Sequence, residues 1–212
     1  MSPPPGAQAG PNNAITDVAG IRVGHHQRIG DDWLTGTTVV LTPTGTTGGY
    51  DIRGGGPAVT DTALLDPAAM VQQVDAICLS GGSVYGLAAA DGVRRWLGEH
   101  NVGLRLGPAE HHVVPIVPGA ALFDLGAGGR FQNHVDAVFG YQAAAAAAAS
   151  EPGAPIAQGT VGAGTGAHAG HLKGGIGSAS VVLPNGVTVA ALVALNSAGS
   201  PVNPADGTLW GA

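Results

Sequence analysis

The stretch Gly170–Ser180, GHLKGGIGSAS, holds the only lysine of this 212-residue chain. Lys173 stands among glycines with strand-like residues downstream, where a solvated surface lysine would more naturally share a helix with other charges. An ammonium so placed can stabilise a developing negative charge or lower the pKa of a nearby amine. Gly174, Gly175 and Gly177 leave backbone N–H groups reachable and let a ligand approach the chain. The alternative is an exposed lysine at a strand end. The sequence SASVVLPNGVTVAALVALN reads as a hairpin, two β-rich arms around Pro184-Asn185-Gly186. Pairing Val182–Leu183 with Val187–Thr188 makes paired positions sum to about 370. That register brings Lys173 opposite Ser197, within a residue or two of Asn196, on strands about 4.8 Å apart. Asn offers NH₂ donors suited to an oxyanion hole.

A nucleophile is harder to find. LSGGSVYG departs from G-x-S-x-G, because Tyr85 stands where the last glycine should be. His25-His26 and His111-His112 have no spaced carboxylate partner. His168 and His171 flank the lysine three residues apart and would point to opposite faces of a strand, so no metal is expected. GAGTGA loosely matches the dinucleotide fingerprint, but the glycines after it forbid the helix that should receive a pyrophosphate, and no cofactor is expected. Cys78, the lone cysteine, reads as a small buried hydrophobe. Donors and a cation without an attacker point to a nucleophile beyond Ala212 or on another polypeptide.

The elements that must position these residues are short. ITDV, IRVGHH and GTTVVLTP read as strands. DTALLDPAAMVQQ reads as a short helix broken at Pro67, and VDAICLS as a buried strand. GGSVYGLAAADGVRRWLGEHN reads as a helix with a tight entry at Gly81-Gly82 and an exit at Asn101-Val102-Gly103. NHVDAVFGYQAAAAAAASEPG reads as a second helix, whose seven alanines from 143 to 149 have the best intrinsic propensity and let another helix pack close. Nothing from Gln158 to Asn196 reads as helix. The expected organisation is a flexible tail, residues 1–13, followed by one α+β domain, 14–212.

Composition limits the partners. Only 10% of residues are charged, against about 25% in an average domain. That favours subunit contacts or a GC-rich coding sequence. A net charge of −6 without a basic stripe argues against a nucleic-acid partner. MSPPPGAQAGPNN has neither a basic nor an apolar segment of a signal peptide, and the longest apolar run, Val187 to Leu195, is too short for a bilayer. No membrane association and a cytoplasmic location are expected.

Several segments, ITDVAGIRVGHH, GTTVVL, GGGPAVTDTALLDP, ICLSGGSVYGLAAADGV, VGAGTGAHAGHLKGGIGSAS and NSAGSPVNP, resemble the N-terminal-nucleophile aminopeptidases. That family includes L-aminopeptidase/D-esterases, β-peptidyl aminopeptidases and nylon-oligomer hydrolases, and the resemblance runs in order over about residues 14–212. It implies a precursor that cuts itself into a large α chain and a small β chain whose first residue, Ser or Thr, is the nucleophile. It implies an αββα sandwich, shared in outline with ornithine acetyltransferases and completed by the separate β chain, and an oligomer of αβ units. The substrate class it implies is a peptide or small amide. By the same resemblance Lys173 matches the active-site lysine, Asn196 the oxyanion asparagine, and Tyr85 a tyrosine lining the catalytic pocket. The family's α chains usually run on past the LWGA stretch to an Asn or Gly before the cut, so Ala212 is not expected to be the scissile residue. The rival readings are an acyltransferase of ornithine-acetyltransferase type and a non-catalytic glycine-rich assembly protein.

Overall fold

The computed structural model describes residues 4–210. Along the chain run β1 (Gln8–Ala9), β2 (Arg22–Gly30), β3 (Trp33–Leu41), β4 (Val59–Thr60), β5 (Ala76–Ser80), α1 (Ala89–Glu99), β6 (Leu104–Arg105), β7 (Val113–Val114), β8 (Gly119–Ala121), α2 (Ala137–Ala149), β9 (His168–Ala169), β10 (Leu172–Lys173), β11 (Gly175–Val182) and β12 (Thr188–Leu195). The architecture is mixed α/β, in three layers.

The middle layer is a five-stranded sheet in the order β2-β3-β5-β8-β4. Within it β3 is buried from Thr35 to Val40, as a strand covered on both faces must be. The pair β5 and β8 is parallel, and α1 supplies the crossover that such a pair needs. Helices α1 and α2 cover one face of this sheet. Val39, Ala76, Cys78, Val93, Leu97, Val117, Ala143 and Ala144 form the core between helices and sheet. Helix α2 starts at Asp136, whose carboxylate caps the Val138 N–H at 2.9 Å, and its alanines then propagate it. Small residues set the spacing between layers: a Cβ on Gly24 of β2 would lie 2.2 Å from the Ala143 carbonyl oxygen.

On the other face lies the second sheet, β1-β11-β12. Leu192 of β12 packs with Ile21, Val23 and Val40 to make the core between the sheets. The β11–β12 hairpin holds the expected register, from Gly175 opposite Leu195 to Val182 opposite Thr188.

Several local expectations are corrected. Part of the expected tail, residues 1–13, is tied down: Gln8–Ala9 pairs with Val182 and Val181, and the Asn13 carboxamide accepts the Ser180 N–H at 3.0 Å. Residues 1–3 of that tail lie outside the described residues. ITDV is a 3₁₀ turn, Ile15–Asp17, and not a strand. The Asp17 carboxylate turns back to accept the Asn12 and Ala14 N–H groups at 3.0 and 3.1 Å, which closes the chain locally. The helix expected over DTALLDPAAMVQQ is one 3₁₀ turn, Thr62–Leu65, stopped where Pro67 forces Asp66 into extended geometry. Tyr85 lies in a 3₁₀ segment, Ser83–Ala88, that only then becomes the α-helix. A 3₁₀ turn at Gly162–Gly164 interrupts the stretch expected to hold no helix.

Among the described residues, no helix is long and apolar enough to cross a membrane.

Candidate active site

Tyr85 is presented by a tight turn at the end of β5. Gly82 and Ser83 both adopt left-handed backbone, with φ of 84° and 53°, and reverse the chain out of the sheet. The turn is pinned by two donors: Gly82 N–H to the Asp124 carboxylate at 2.6 Å and Ser83 N–H to the Leu122 carbonyl at 2.8 Å. The Tyr85 side chain is 54% exposed and stacks on His134, with ring centroids 4.7 Å apart and planes 14° from parallel.

Asn196 follows β12 directly. Its Nδ2 donates to the Phe123 carbonyl at 3.0 Å. Tyr85 and Asn196, 111 positions apart, are therefore both anchored to one short segment, residues 122–124.

Lys173 is not where the extrapolated hairpin register puts it. The hairpin ends at Gly175–Leu195, and Lys173 pairs with His168 in the small β9–β10 ribbon. The cause is local: Gly174 N–H turns away from β12 to bond the Ala167 carbonyl at 2.7 Å. The ribbon nevertheless rests on the segment that carries Asn196. Gly170 N–H donates to the Ser197 carbonyl at 3.0 Å, and a Cβ on Gly174 would come within 2.1 Å of the Leu195 carbonyl oxygen. Only a glycine permits that approach. So the main chain on both sides of Lys173 seats on residues 195–197.

Lys173 and His168 line a cavity of about 230 Å³ together with Ile29, Leu34, Thr160 and Thr165. A larger cavity, about 530 Å³, lies at the other end of β5 around Met70, Asp75 and Asn101, and Tyr85, Lys173 and Asn196 take no part in it. Among the described residues, no group of three or more His, Cys, Asp or Glu side chains could hold a metal ion. Cys78 faces the helix-side core, where burial pushes its thiol up to about 12, so it is no nucleophile at neutral pH.

Sequence reasoning missed two contributors. The Phe123 main-chain carbonyl leaves no residue-type signal, since any residue would offer it. His134 lies in NHVDAVF, where it reads as the lead-in to a helix, and its partnership with Tyr85 spans 49 positions. Chemically, Lys173 offers an ammonium, Asn196 a carboxamide held by the Phe123 carbonyl, and Tyr85 an exposed phenol stacked on His134.

Known proteins share this frame. The chain is 54% identical over 204 residues to an uncharacterized aminopeptidase of Mycobacterium tuberculosis, an alignment covering 93% of this chain and 57% of that protein. It is 32% identical over 212 residues to the β-peptidyl aminopeptidase BapA of Sphingosinicella xenopeptidilytica, covering 87% of this chain and 47% of the relative. Among solved structures, a β-aminopeptidase of Burkholderia sp. superposes with a TM-score of 0.71 at 29% identity, over 92% of this chain and 55% of that one. The L-aminopeptidase D-Ala-esterase/amidase of Ochrobactrum anthropi, described as a variant of the Ntn hydrolase fold, superposes with a TM-score of 0.70 at 24% identity, again over 92% and 55%. This chain thus spans about half the length of the relatives it matches. Residues 13–212 also match the family described as Peptidase family S58, so nearly the whole chain carries that pattern, and the chain belongs to peptidase family S58.

Proposed function

We propose that this chain is the large, α part of a self-processing aminopeptidase-like hydrolase, in which Lys173, Asn196 and Tyr85 serve a Ser or Thr at the start of a β chain cut from the same precursor. The observation that carries this reading is an unfinished second sheet beside the site. That sheet has three strands against five in its neighbour, and β12 is its edge. Ile77 of β5 lies on the face between the sheets, beside Val40, yet is 39% exposed because nothing extends the second sheet over it. The outward face of the hairpin is apolar and bare: Ala179, Val189, Ala191, Val193 and Leu195. Further strands added at β12, and a helical layer over this face, would complete an αββα sandwich. The longer relatives have the chain length to supply them.

The chemistry follows from the groups at the site. A terminal Ser or Thr carries its own base, the α-amine, with a reference pKa of about 7.7–8.0. Lys173⁺ beside it favours the neutral amine, which takes the hydroxyl proton as the oxygen attacks the amide carbonyl. Asn196 donates to the oxyanion of the tetrahedral intermediate. The C–N bond then breaks, the proton passes to the leaving amine, and water hydrolyses the acyl-enzyme. Tyr85, exposed and stacked on His134, positions the substrate or donates a second hydrogen bond in this reading. Peptides and small amides are the substrate class, and a low charge content suits an oligomer of αβ units.

Intact mass and N-terminal sequencing of the purified full-length protein test the reading, together with hydrolysis of alanyl p-nitroanilides. Two co-purifying polypeptides, the smaller beginning with Ser or Thr, are expected. One uncut chain without hydrolase activity would overturn it.

A further inference from the structure

Residues 122–124 hold a buried carboxylate that the chemistry above does not use. Asp124 is 5% exposed. Its Oδ2 accepts the Thr35 hydroxyl of β3 at 2.7 Å, and its Oδ1 accepts the Gly82 N–H at 2.6 Å. Glycines make its chamber: a Cβ on Gly81 would lie 2.0 Å from Oδ2, and one on Gly166 would lie 2.9 Å from the same oxygen. Burial raises the Asp124 carboxyl above the usual carboxylate range, while the Thr35 and Gly82 hydrogen bonds and the field of His168 pull it back.

The surroundings of this one side chain reach all three candidate residues. Gly82 opens the turn that presents Tyr85. Phe123, the preceding residue, holds Asn196 through its carbonyl. Gly166 leads into Ala167, which accepts the Gly174 N–H, and into His168, which pairs with Lys173. Three segments far apart in sequence converge on a carboxylate fixed to β3.

We infer that Asp124 is a positioning residue that locks the Tyr85 turn, the Asn196 anchor and the Lys173 ribbon into one geometry through the shape and hydrogen bonds of its carboxylate. The inference rests on the reading of the site given above. Shape and charge make opposite demands on two substitutions. Asp124→Asn keeps the size and an acceptor for Gly82 N–H, and the Thr35 hydroxyl can rotate to accept from the new NH₂. Asp124→Glu keeps the charge but adds a methylene to a chamber that has no room for it.

The experiment uses full-length protein and measures kcat and KM on L-alanyl- and β-alanyl-p-nitroanilide, with melting temperatures alongside. Asp124→Asn should lose about three- to tenfold in kcat. Asp124→Glu should lose about 10²-fold or more, with KM of both variants within about threefold of the parent. The reverse order would assign the effect to charge and overturn the inference. So would parental rates in both variants, equal losses in both, or failure of both to fold. Lys173→Ala and Asn196→Ala, run in parallel, separate the two levels: if they retain activity the site reading fails, and if they lose it while both Asp124 variants keep it, this inference alone fails.

Discussion

The side-chain amide of Asn196 donates to the main-chain carbonyl of Phe123 at 3.0 Å. That bond occupies one of the two amide hydrogens and fixes which end of the carboxamide is the donor. The second N–H is then oriented and, among the described residues, has no other side-chain partner. Such a donor costs no reorganisation when charge develops on a substrate oxygen.

Asn196→Asp should therefore lower kcat by about 10²–10³ with little change in melting temperature. The side chain is half-buried and outside the hydrophobic core, so its replacement removes a donor without opening a core. Steady-state kinetics on the purified full-length protein, with a thermal melt, check this. Parental turnover would mean that the oxyanion lies elsewhere.

Lys173 lends itself to a pH test with a definite sign. In the proposed mechanism the nucleophile's α-amine must be neutral to accept a proton, so activity should fall as pH drops through that amine's pKa. On that mechanism the lysine charge would depress this pKa and hold the acid limb of the rate profile low. Lys173→Met removes the charge at similar length. The acid limb should then move up by about one pH unit, with the loss greater at pH 7 than at pH 9. Lys173→Arg should hold the limb near its original place. An unmoved limb in Lys173→Met would show that the ammonium does not act on the amine.

How much of this was legible in the sequence depends on the range of the interaction. The β11–β12 register was readable because Pro184-Asn185-Gly186 and two β-rich arms fix it locally. Helix α2 was readable because a capping aspartate precedes seven alanines. The pairing of Lys173 was misread, since extrapolation ignored Gly174, whose N–H bonds Ala167 instead of β12 and leaves Lys173 opposite His168. The ITDV turn was missed because its cause is a side chain, Asp17, bonding backward to Asn12 and Ala14. The Tyr85–His134 stack and the Asp124–Thr35 bond join residues 49 and 89 positions apart, and neither leaves a periodic trace.

Cys78 adjoins the Leu79-Ser80-Gly81-Gly82 turn, close enough in sequence to invite a catalytic reading. Burial pushes its thiol up to about 12, and the Arg94 charge offsets this only in part. At pH 8 about one thiol in 10⁴ would then be thiolate. Iodoacetamide at pH 8 should leave the native protein unlabelled over hours and label it fully in urea. Rapid native labelling would place the thiol nearer solvent than the core between helices and sheet allows.

Helices α1 and α2 meet through glycines. A Cβ on Gly92 would lie 1.7 Å from the Ala137 carbonyl oxygen, and one on Gly140 would lie 1.8 Å from that of Ala89. Alanine gains up to about 1 kcal/mol of helix propensity over glycine, but overpacking against backbone costs about 1–3 kcal/mol. The clash should win in Gly92→Ala, lowering the melting temperature by roughly 2–8 °C. Gly98, on the same helix, has nothing within 4 Å of its would-be Cβ. Gly98→Ala should hold or raise the melting temperature, and differential scanning calorimetry on both variants tests the contrast in sign.

The outward face of β11–β12 yields the last prediction. Val189 and Val193 are 52% and 54% exposed on a face with no charged residue, beside the open edge of β12. If the rest of the precursor covers this face, a carboxylate there must be buried without a partner, which is far more costly than leaving it in water. Val193→Asp should abolish co-purification of the second polypeptide or block its release. Met70→Asp, an equally drastic change at a 96% exposed position at the far end of β5, should leave that association intact. Size-exclusion chromatography with intact mass measurement reads both. A Val193→Asp protein that keeps its partner would mean that the face stays open to solvent and that the missing layer attaches elsewhere.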